Sequence, residues 1–157
     1  MERFVKETLL DAPCERVFAF HERPDAFALL QPPWEETRII RPPGDLAVGT
    51  VVVLKTKLGP LWITIEAEHV AYVQNERFED VMRRGPFAHW HHKHLFSARG
   101  ARCLLRDEID YALPLGALGR LFGAGFVRRK LERLFAFRHA LTAREVARGE
   151  AAKKVLP

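Results

Sequence analysis

Between residues 36 and 113 the chain has the pattern of six consecutive β-strands separated only by short turns. Each run alternates apolar and polar residues, which is typical of a strand with one buried face. Because connections this short join antiparallel neighbours, the pattern predicts a single antiparallel sheet. The six predicted strands are Glu36–Arg41, Thr50–Leu58, Leu61–Val73, Arg77–Arg84, Ala88–Ala98 and Ala101–Leu113.

A further strand precedes this series and a long helix follows it. Residues Glu2–Leu10 alternate like a strand, and short helices are predicted over Cys14–His21 and Pro24–Leu30. From Gly116 to Arg148 the apolar spacing changes to a period of 3.6 residues, which indicates one amphipathic helix. The sequence therefore predicts an α+β fold, a seven-stranded curved antiparallel sheet wrapped around a long C-terminal helix.

The length and composition fit one globular domain over residues 1–157, with 48% hydrophobic residues. No apolar run of about 18 residues is present and the N-terminus has no apolar signal core, so we expect a cytoplasmic protein. The two cysteines, Cys14 and Cys103, lack the spacing of a metal site, and we expect them to be reduced thiols. Phosphate-binding loops, nucleophile elbows and zinc-protease motifs do not occur, and no cofactor is predicted.

The net charge of +5 favours either mild attraction to anionic partners or simply a solvated basic surface. The basic residues are not interleaved with aromatic ones, so no nucleic-acid partner is expected. The basic face of the long helix could make weak peripheral contact with an anionic membrane, the alternative being a solvated face. On the helix wheel this polar side comprises Arg128, Arg129, Glu132, Arg133, His139 and Arg144, and the basic residues that could touch a membrane are Arg128, Arg129, Lys130 and Arg133.

Four of the seven histidines lie within six residues of one predicted strand. They are His89, His91, His92 and His94. Successive side chains of a strand point to opposite faces, and Trp90 and Phe96 mark the inner face. His92 and His94 share that inner face, whereas His89 and His91 are expected in solvent.

The next predicted strand places Asp107 on its apolar face. If Arg99 and Gly100 form a two-residue hairpin loop, His92 lies directly opposite Asp107. Three interpretations remain open for this pair. It is a mutually satisfied polar pair in the core wall, an anchor for the polar group of a ligand, or a general acid–base dyad.

His92, His94 and Asp107 also have the composition of a two-histidine, one-carboxylate metal site. No further inward carboxylate is evident that would orient the two histidines, so no metal is predicted.

Arg138 lies at the centre of the apolar stripe of the long helix. A buried guanidinium needs a partner, which could be Asp107, Glu145, or a carboxylate or phosphate of a ligand. Alternatively, its aliphatic stem covers apolar surface while its charge reaches water.

The chain resembles the START-like helix-grip superfamily, also called SRPBCC, of polyketide cyclase and lipid-transfer type. The resemblance rests on the element order, on the step from Asp11 to Phe18 into the first helix, and on the entry to the last helix. That entry comprises Tyr111–Gly116, Leu121–Phe122 and Phe126–Leu131. It implies a cavity between sheet and helix that holds an apolar or amphipathic ligand. Trp34 would then be a lid residue, with ordinary loop packing as the alternative.

The expected function is therefore binding of a hydrophobic or amphipathic small molecule, such as a lipid, an aromatic compound or a polyketide. One alternative is a cyclase or dehydratase that uses His92 and Asp107 as an acid–base pair, and another is a regulatory protein that acts through its surface. His92, His94, Asp107 and Arg138 would face the polar part of the ligand. The apolar wall is predicted from Trp90, Phe96, Leu105, Ile109, Tyr111, Leu131, Leu134 and Phe135.

Overall fold

Over residues 1–155, whose backbone this computed structural model describes, the chain folds into seven strands and three helices. Side chains are described for residues 1–117 and 123–149, and the last two residues of the predicted domain lie outside the described part. The elements, in chain order, are β1 (Glu2–Leu10), α1 (Cys14–His21), α2 (Ala26–Leu29), β2 (Thr37–Arg41), β3 (Val51–Leu58), β4 (Leu61–Val73), β5 (Arg77–Arg84), β6 (His89–Arg99), β7 (Arg102–Ala112) and α3 (Gly116–Val155).

The strands form one antiparallel sheet in the order β1-β7-β6-β5-β4-β3-β2. Strands β2 to β7 pair with their neighbours in sequence, and β1 closes the far edge by pairing with β7. The curved sheet packs against α3, and the two short helices follow β1, which confirms the predicted helix-grip architecture. In the part of the chain that is described, no helix is both long enough and apolar enough to cross a lipid bilayer.

The predicted register of the β6–β7 hairpin is wrong by two residues. Arg99 pairs with Arg102, so the turn consists of Gly100 and Ala101. Gly100 has a φ of +62°, and the first position of a tight hairpin turn favours glycine for this conformation. As a result His94, not His92, lies opposite Asp107.

Two hydrophobic clusters hold the sheet to the helices. One surrounds α1, where Val17 and Phe18 are fully buried and pack with Phe96 and Leu105. The other lies between β1, β7 and α3, and it contains Phe4, Ile109, Tyr111, Leu131 and Phe135. Burying one side chain of this size contributes about 1.5–3 kcal/mol, so these clusters fix the helices on the sheet.

Cys14 and Cys103 form a disulfide, which corrects the expectation of reduced thiols. Their Cα atoms are 4.8 Å apart, within the range that a disulfide spans. The bond joins the first turn of α1 to β7 across 89 residues of sequence. It therefore clamps the helix against the strand that carries Asp107.

Candidate functional site

A cavity of about 700 Å³ lies between the sheet and α3 and reaches the short helices. Strands β3 and β4 supply one apolar wall, and the segment of α3 from Gly123 to Arg138 supplies another. Most of the lining is apolar and includes Leu30, Val52, Leu54, Ile63, Ile65, Ala67, Met82, Phe87, Trp90, Leu131 and Leu134. A cavity of this volume and character is typical of small-molecule sites.

One part of the cavity wall is polar and consists of Asp80, His92 and His94, which we call the cavity triad. Asp80 projects from β5, and both histidines project from β6, where alternation turns every second side chain inward. Asp80 pairs with His92 across the two strands. The three groups therefore meet because two adjacent strands present them from neighbouring positions of the same face.

Asp107 lies behind the two histidines of the triad and receives a hydrogen bond from each. Its Oδ1 is 2.9 Å from Nε2 of His92 and 2.7 Å from Nδ1 of His94. The predicted contact between His92 and Asp107 is present, although the two residues are not direct cross-strand partners. An ionised carboxylate only accepts hydrogen bonds, so each ring carries a proton on the nitrogen that faces Asp107.

The other oxygen of Asp107 is held by His139 of α3. The Oδ2 atom accepts from Nε2 of His139 at 2.6 Å, and Nδ1 of His139 contacts Oγ1 of Thr8 at 2.7 Å. His139 is only 2% exposed, so its assignment to the polar side of the helix is wrong. The buried stripe of α3 is centred nearer Phe135 than Leu134, and this rotation brings His139 onto the sheet.

On the cavity side, Asp80 closes the arrangement. Its Oδ2 is 3.3 Å from Nδ1 of His92 and 3.6 Å from Nε2 of His94. The two imidazole rings lie with centroids 3.8 Å apart, and Phe78 stacks on the outer side of His94 at 4.0 Å. Two closely packed rings, inclined at 46° to each other, are thus held between a carboxylate in the cavity and a carboxylate behind it.

This geometry sets the charges of the cluster. Burial works to lower the pKa of His92, but hydrogen bonds and charge from Asp107 and Asp80 outweigh it and raise the pKa to about 9. Burial works to raise the pKa of both carboxyls. The neighbouring imidazoles reverse this and hold the pKa of Asp80 and of Asp107 well below the usual range. Both carboxylates are therefore ionised at neutral pH.

Two further histidines face the same cavity. His69 of β4 is the sheet partner of Asp80 and is 6% exposed, and its Nδ1 has no hydrogen-bond partner among the described residues. His21 ends α1 and donates from Nδ1 to the carbonyl of Val17 at 2.8 Å. Burial lowers the pKa of His21 to about 4, and the neighbouring His94 adds to this effect.

Arg138 reaches the cavity wall, where it is half-buried. Its Nε donates to the carbonyl of Leu30 at 3.2 Å, and its guanidinium lies 5.3 Å from the ring centroid of Phe135. None of the described residues forms an ion pair with it, so Asp107 and Glu145 are not its partners. Burial lowers the pKa of Arg138, because removing its charge from water without an ion-pair partner is electrostatically unfavourable.

The remaining predicted residues divide between the cavity and the core. Trp90, Leu131 and Leu134 line the cavity. Trp34 borders a separate surface pocket and packs against Phe137. Five predicted wall residues lie behind the wall, in the two hydrophobic clusters, and this corrects their assignment: Phe96, Leu105, Ile109, Tyr111 and Phe135.

The outer face of β6 is less solvent-exposed than the sequence indicates. His89 is exposed, but His91 is half-buried and its Nε2 contacts Oε2 of Glu79 at 2.7 Å.

Sequence reasoning missed Asp80, although its position between Phe78 and Met82 in a predicted strand placed it on an apolar face.

A family model described as polyketide cyclase / dehydrase and lipid transport matches residues 10–135. The chain belongs to this family. The match covers most of the sheet, the cavity triad and the first half of α3, and it confirms the resemblance to the helix-grip superfamily. No curated protein matches the chain.

Solved structures show the same fold at low sequence identity. Norcoclaurine synthase from Thalictrum flavum is 13% identical, with a TM-score of 0.71 over 94% of this chain and 87% of that chain. An aromatase/cyclase from a Streptomyces species is 17% identical, with a TM-score of 0.62 over 98% and 95%. A nucleoside-diphosphate sugar epimerase from Corynebacterium glutamicum is 23% identical, with a TM-score of 0.67 over 92% of this chain and 29% of that chain.

Family and fold together favour either binding of a hydrophobic ligand or a reaction of cyclase type.

Proposed function

We propose that the protein binds an amphipathic small molecule in the cavity, with the apolar body against β3, β4 and α3 and an oxygen-bearing group at the cavity triad. The observation that carries this proposal is the placement of Asp80, His92 and His94 in an otherwise mainly apolar wall. Apolar walls supply affinity for a ligand of this kind, and a few fixed polar groups orient it.

Arg138 refines the class of ligand. Its guanidinium borders the cavity and has spare N–H donors, because only Nε is bonded to the carbonyl of Leu30. An unpaired buried cation is costly, so a ligand oxygen that accepts from Arg138 recovers free energy on binding. We therefore expect the ligand to carry a carboxylate or a comparable acceptor group beside its apolar body.

The test is native mass spectrometry of freshly purified protein, followed by thermal-shift measurements with a panel of fatty acids, aromatic acids and polyketides. Ala67→Leu adds volume inside the cavity, and Thr64→Leu places the same leucine side chain on the opposite face of β4. Bound mass and thermal shift are expected to disappear in the Ala67 variant and to persist in the Thr64 variant. Equal binding by both variants, or no ligand across the panel, would contradict the proposal.

A second candidate is a cyclase or dehydratase reaction on a carbonyl compound. The observation that favours it is the hydrogen-bonded chain from Thr8 through His139 and Asp107 to His92 at the cavity wall. A positioned imidazole and carboxylate can move a proton to or from a bound substrate.

This second function requires turnover that His92→Ala and Asp107→Asn abolish while the fold survives. His91→Ala is the matched control, because it removes an imidazole from the outer face of the same strand. A substrate converted equally by all three variants would exclude this cluster from the reaction.

A further inference from the structure

We propose that Oδ2 of Asp80, Nδ1 of His92 and Nε2 of His94 form a binding site for one divalent first-row transition metal ion, such as Zn²⁺ or Fe²⁺. These ligand atoms all lie within 4.8 Å of one another. The donor set is a carboxylate and two imidazoles, which suits this class of metal. No metal was expected from the sequence because no inward carboxylate besides Asp107 was evident, and Asp80 is that second carboxylate.

The spacing of the ligand atoms fits a metal at their centre. Oδ2 of Asp80 is 3.3 Å from the donor nitrogen of His92 and 3.6 Å from that of His94. With metal–ligand bonds of about 2.0–2.2 Å, neighbouring ligands of a tetrahedral site lie about 3.3–3.5 Å apart. The two distances from Asp80 match this range, and the donor nitrogens of the two histidines lie within 4.8 Å of each other, close enough for side-chain movement to bring all three ligands to one metal ion.

Tautomers point to a cation in the same place. Asp107 accepts a hydrogen bond from the far nitrogen of both rings, at 2.9 Å from His92 and 2.7 Å from His94. In the neutral rings, this leaves the lone pairs of the near nitrogens directed at the carboxylate of Asp80. A metal ion bound here would be held by these two lone pairs and the carboxylate oxygen, in the place that a ring proton shared with Asp80 otherwise occupies.

The residues behind the ligands have the arrangement that metal sites require. A histidine bound to a metal usually donates its other N–H to a carboxylate, which orients the ring and strengthens the ligand. Asp107 does this for both histidines at once and is itself held by His139 at 2.6 Å.

The proposed site also leaves coordination positions open toward the cavity. Three protein ligands with an open position are typical of a metal that binds water or substrate. His69 pairs with Asp80 in the sheet and lies beside the proposed site. Its buried Nδ1 has no hydrogen-bond partner among the described residues. A water or ligand oxygen in this part of the cavity would give that nitrogen a partner.

Metal binding does not depend on the organic ligand, so it can be measured alone. Tag-free protein would be stripped with a chelator, dialysed, and titrated with ZnCl₂ by calorimetry and with CoCl₂ by visible absorption. We expect one equivalent of metal per chain. Asp80→Ala and His94→Ala should weaken binding by more than 100-fold, and Asp107→Asn by about 10–100-fold, which is the usual cost of removing a group that orients a ligand.

The matched controls are His89→Ala and His91→Ala, which remove histidines from the outer face of the same strand. Unchanged binding in Asp80→Ala, or binding lost in either control, would overturn the site. Should the triad variants fail to fold, ring-nitrogen NMR of the wild-type protein decides the matter. Addition of Zn²⁺ must shift Nδ1 of His92 and Nε2 of His94. A spectrum in which only surface rings respond refutes the proposal, whatever is found for the organic ligand.

Discussion

Asp107 is a buried carboxylate that receives hydrogen bonds from three imidazoles, those of His92, His94 and His139. Its Oδ1 holds the two rings of the triad, and its Oδ2 is held by α3. The order of the cavity triad therefore depends on a residue that does not touch the cavity. Its removal affects the position of the rings as well as the stability of the core.

We expect Asp107→Asn to destabilise the protein by about 1–3 kcal/mol, because the amide places N–H donors against imidazole N–H donors in a buried site. Asp110→Asn is the matched control on the outer face of the same strand. It removes an exposed ion pair with Arg3, which is worth about 0–1 kcal/mol. Urea unfolding measures both changes. Equal losses of unfolding free energy in the two variants would show that the buried hydrogen bonds of Asp107 contribute no more to stability than the exposed ion pair.

His21 gives a prediction for acid pH. Its pKa is about 4 in the folded chain, and an unfolded histidine titrates near about 6.5. The unfolded state thus binds a proton that the folded state does not, so this residue lowers stability as the pH falls from about 6.5 through 4. The groups that face it are His94, Asp107 and His139.

NMR titration of metal-free protein checks this expectation. The ring of His21 should stay neutral down to about pH 4, and His21→Gln should lose less stability than wild type between pH 6.5 and 4.5. A His21 ring that titrates near its unperturbed value would contradict the burial that sets the prediction.

Alternation along the strands was sufficient to predict which histidines face inward, but two site residues escaped the sequence argument. Asp80 was available to the same argument, since Phe78 and Met82 flank it on one face. His139 could not be found in this way, because a helix wheel does not show which side of the helix faces the sheet. Its apolar side was centred on Leu134, and a rotation of a few tens of degrees separates a solvated histidine from a buried one.

At the scale of elements, α1 and β7 are joined by the disulfide between Cys14 and Cys103. The bond closes a long segment of sequence and so restricts the unfolded chain strongly. A disulfide of this kind contributes about 2–5 kcal/mol. Because β7 also carries Asp107, the same bond steadies the strand behind the cavity triad.

The double variant Cys14→Ala with Cys103→Ala should lower the free energy of unfolding by about 2–5 kcal/mol. Wild-type protein unfolded with a reductant should lose a similar amount, and wild-type protein without reductant should show no thiols by mass spectrometry after alkylation. Two alkylated thiols in the native oxidised protein would contradict the bond.

The order and type of every element followed from hydrophobic periodicity, and strand bounds differ from prediction by at most two residues. The disulfide could not be predicted, since two cysteines in sequence carry no information about distance. The hairpin register failed for a different reason. Moving the turn by one residue preserves the inward and outward faces, so alternation cannot choose between the two pairings.

At the scale of the whole molecule, the cavity is the space that β3, β4 and α3 leave unfilled. The distance between α3 and the sheet determines which apolar residues line the cavity. Phe96, Leu105 and Ile109 point inward as predicted, but they meet other side chains and become core. The sequence indicates which side chains face inward, but it does not indicate the distance between the sheet and α3.

A ligand that fills this cavity binds the folded state and stabilises it. At a free concentration 100 times its dissociation constant, the gain is about 2.7 kcal/mol. We therefore expect protein stripped of lipid by organic extraction and refolding to melt at a lower temperature than protein as purified, with the difference restored by the ligand that mass spectrometry identifies. Identical melting curves would mean that the purified protein carries no such ligand.

The pairing of β5 with β6 has one more consequence. Glu79 and Asp80 are consecutive, as are His91 and His92, and each acid contacts one histidine on its own side of the sheet, at 2.7 Å outside and 3.3 Å inside. The protein therefore contains an internal reference. The outer pair lies outside the cavity and the inner pair lies on its wall beside Asp107, so the difference between the two rings in a single spectrum measures the combined effect of the cavity and of Asp107 on an imidazole.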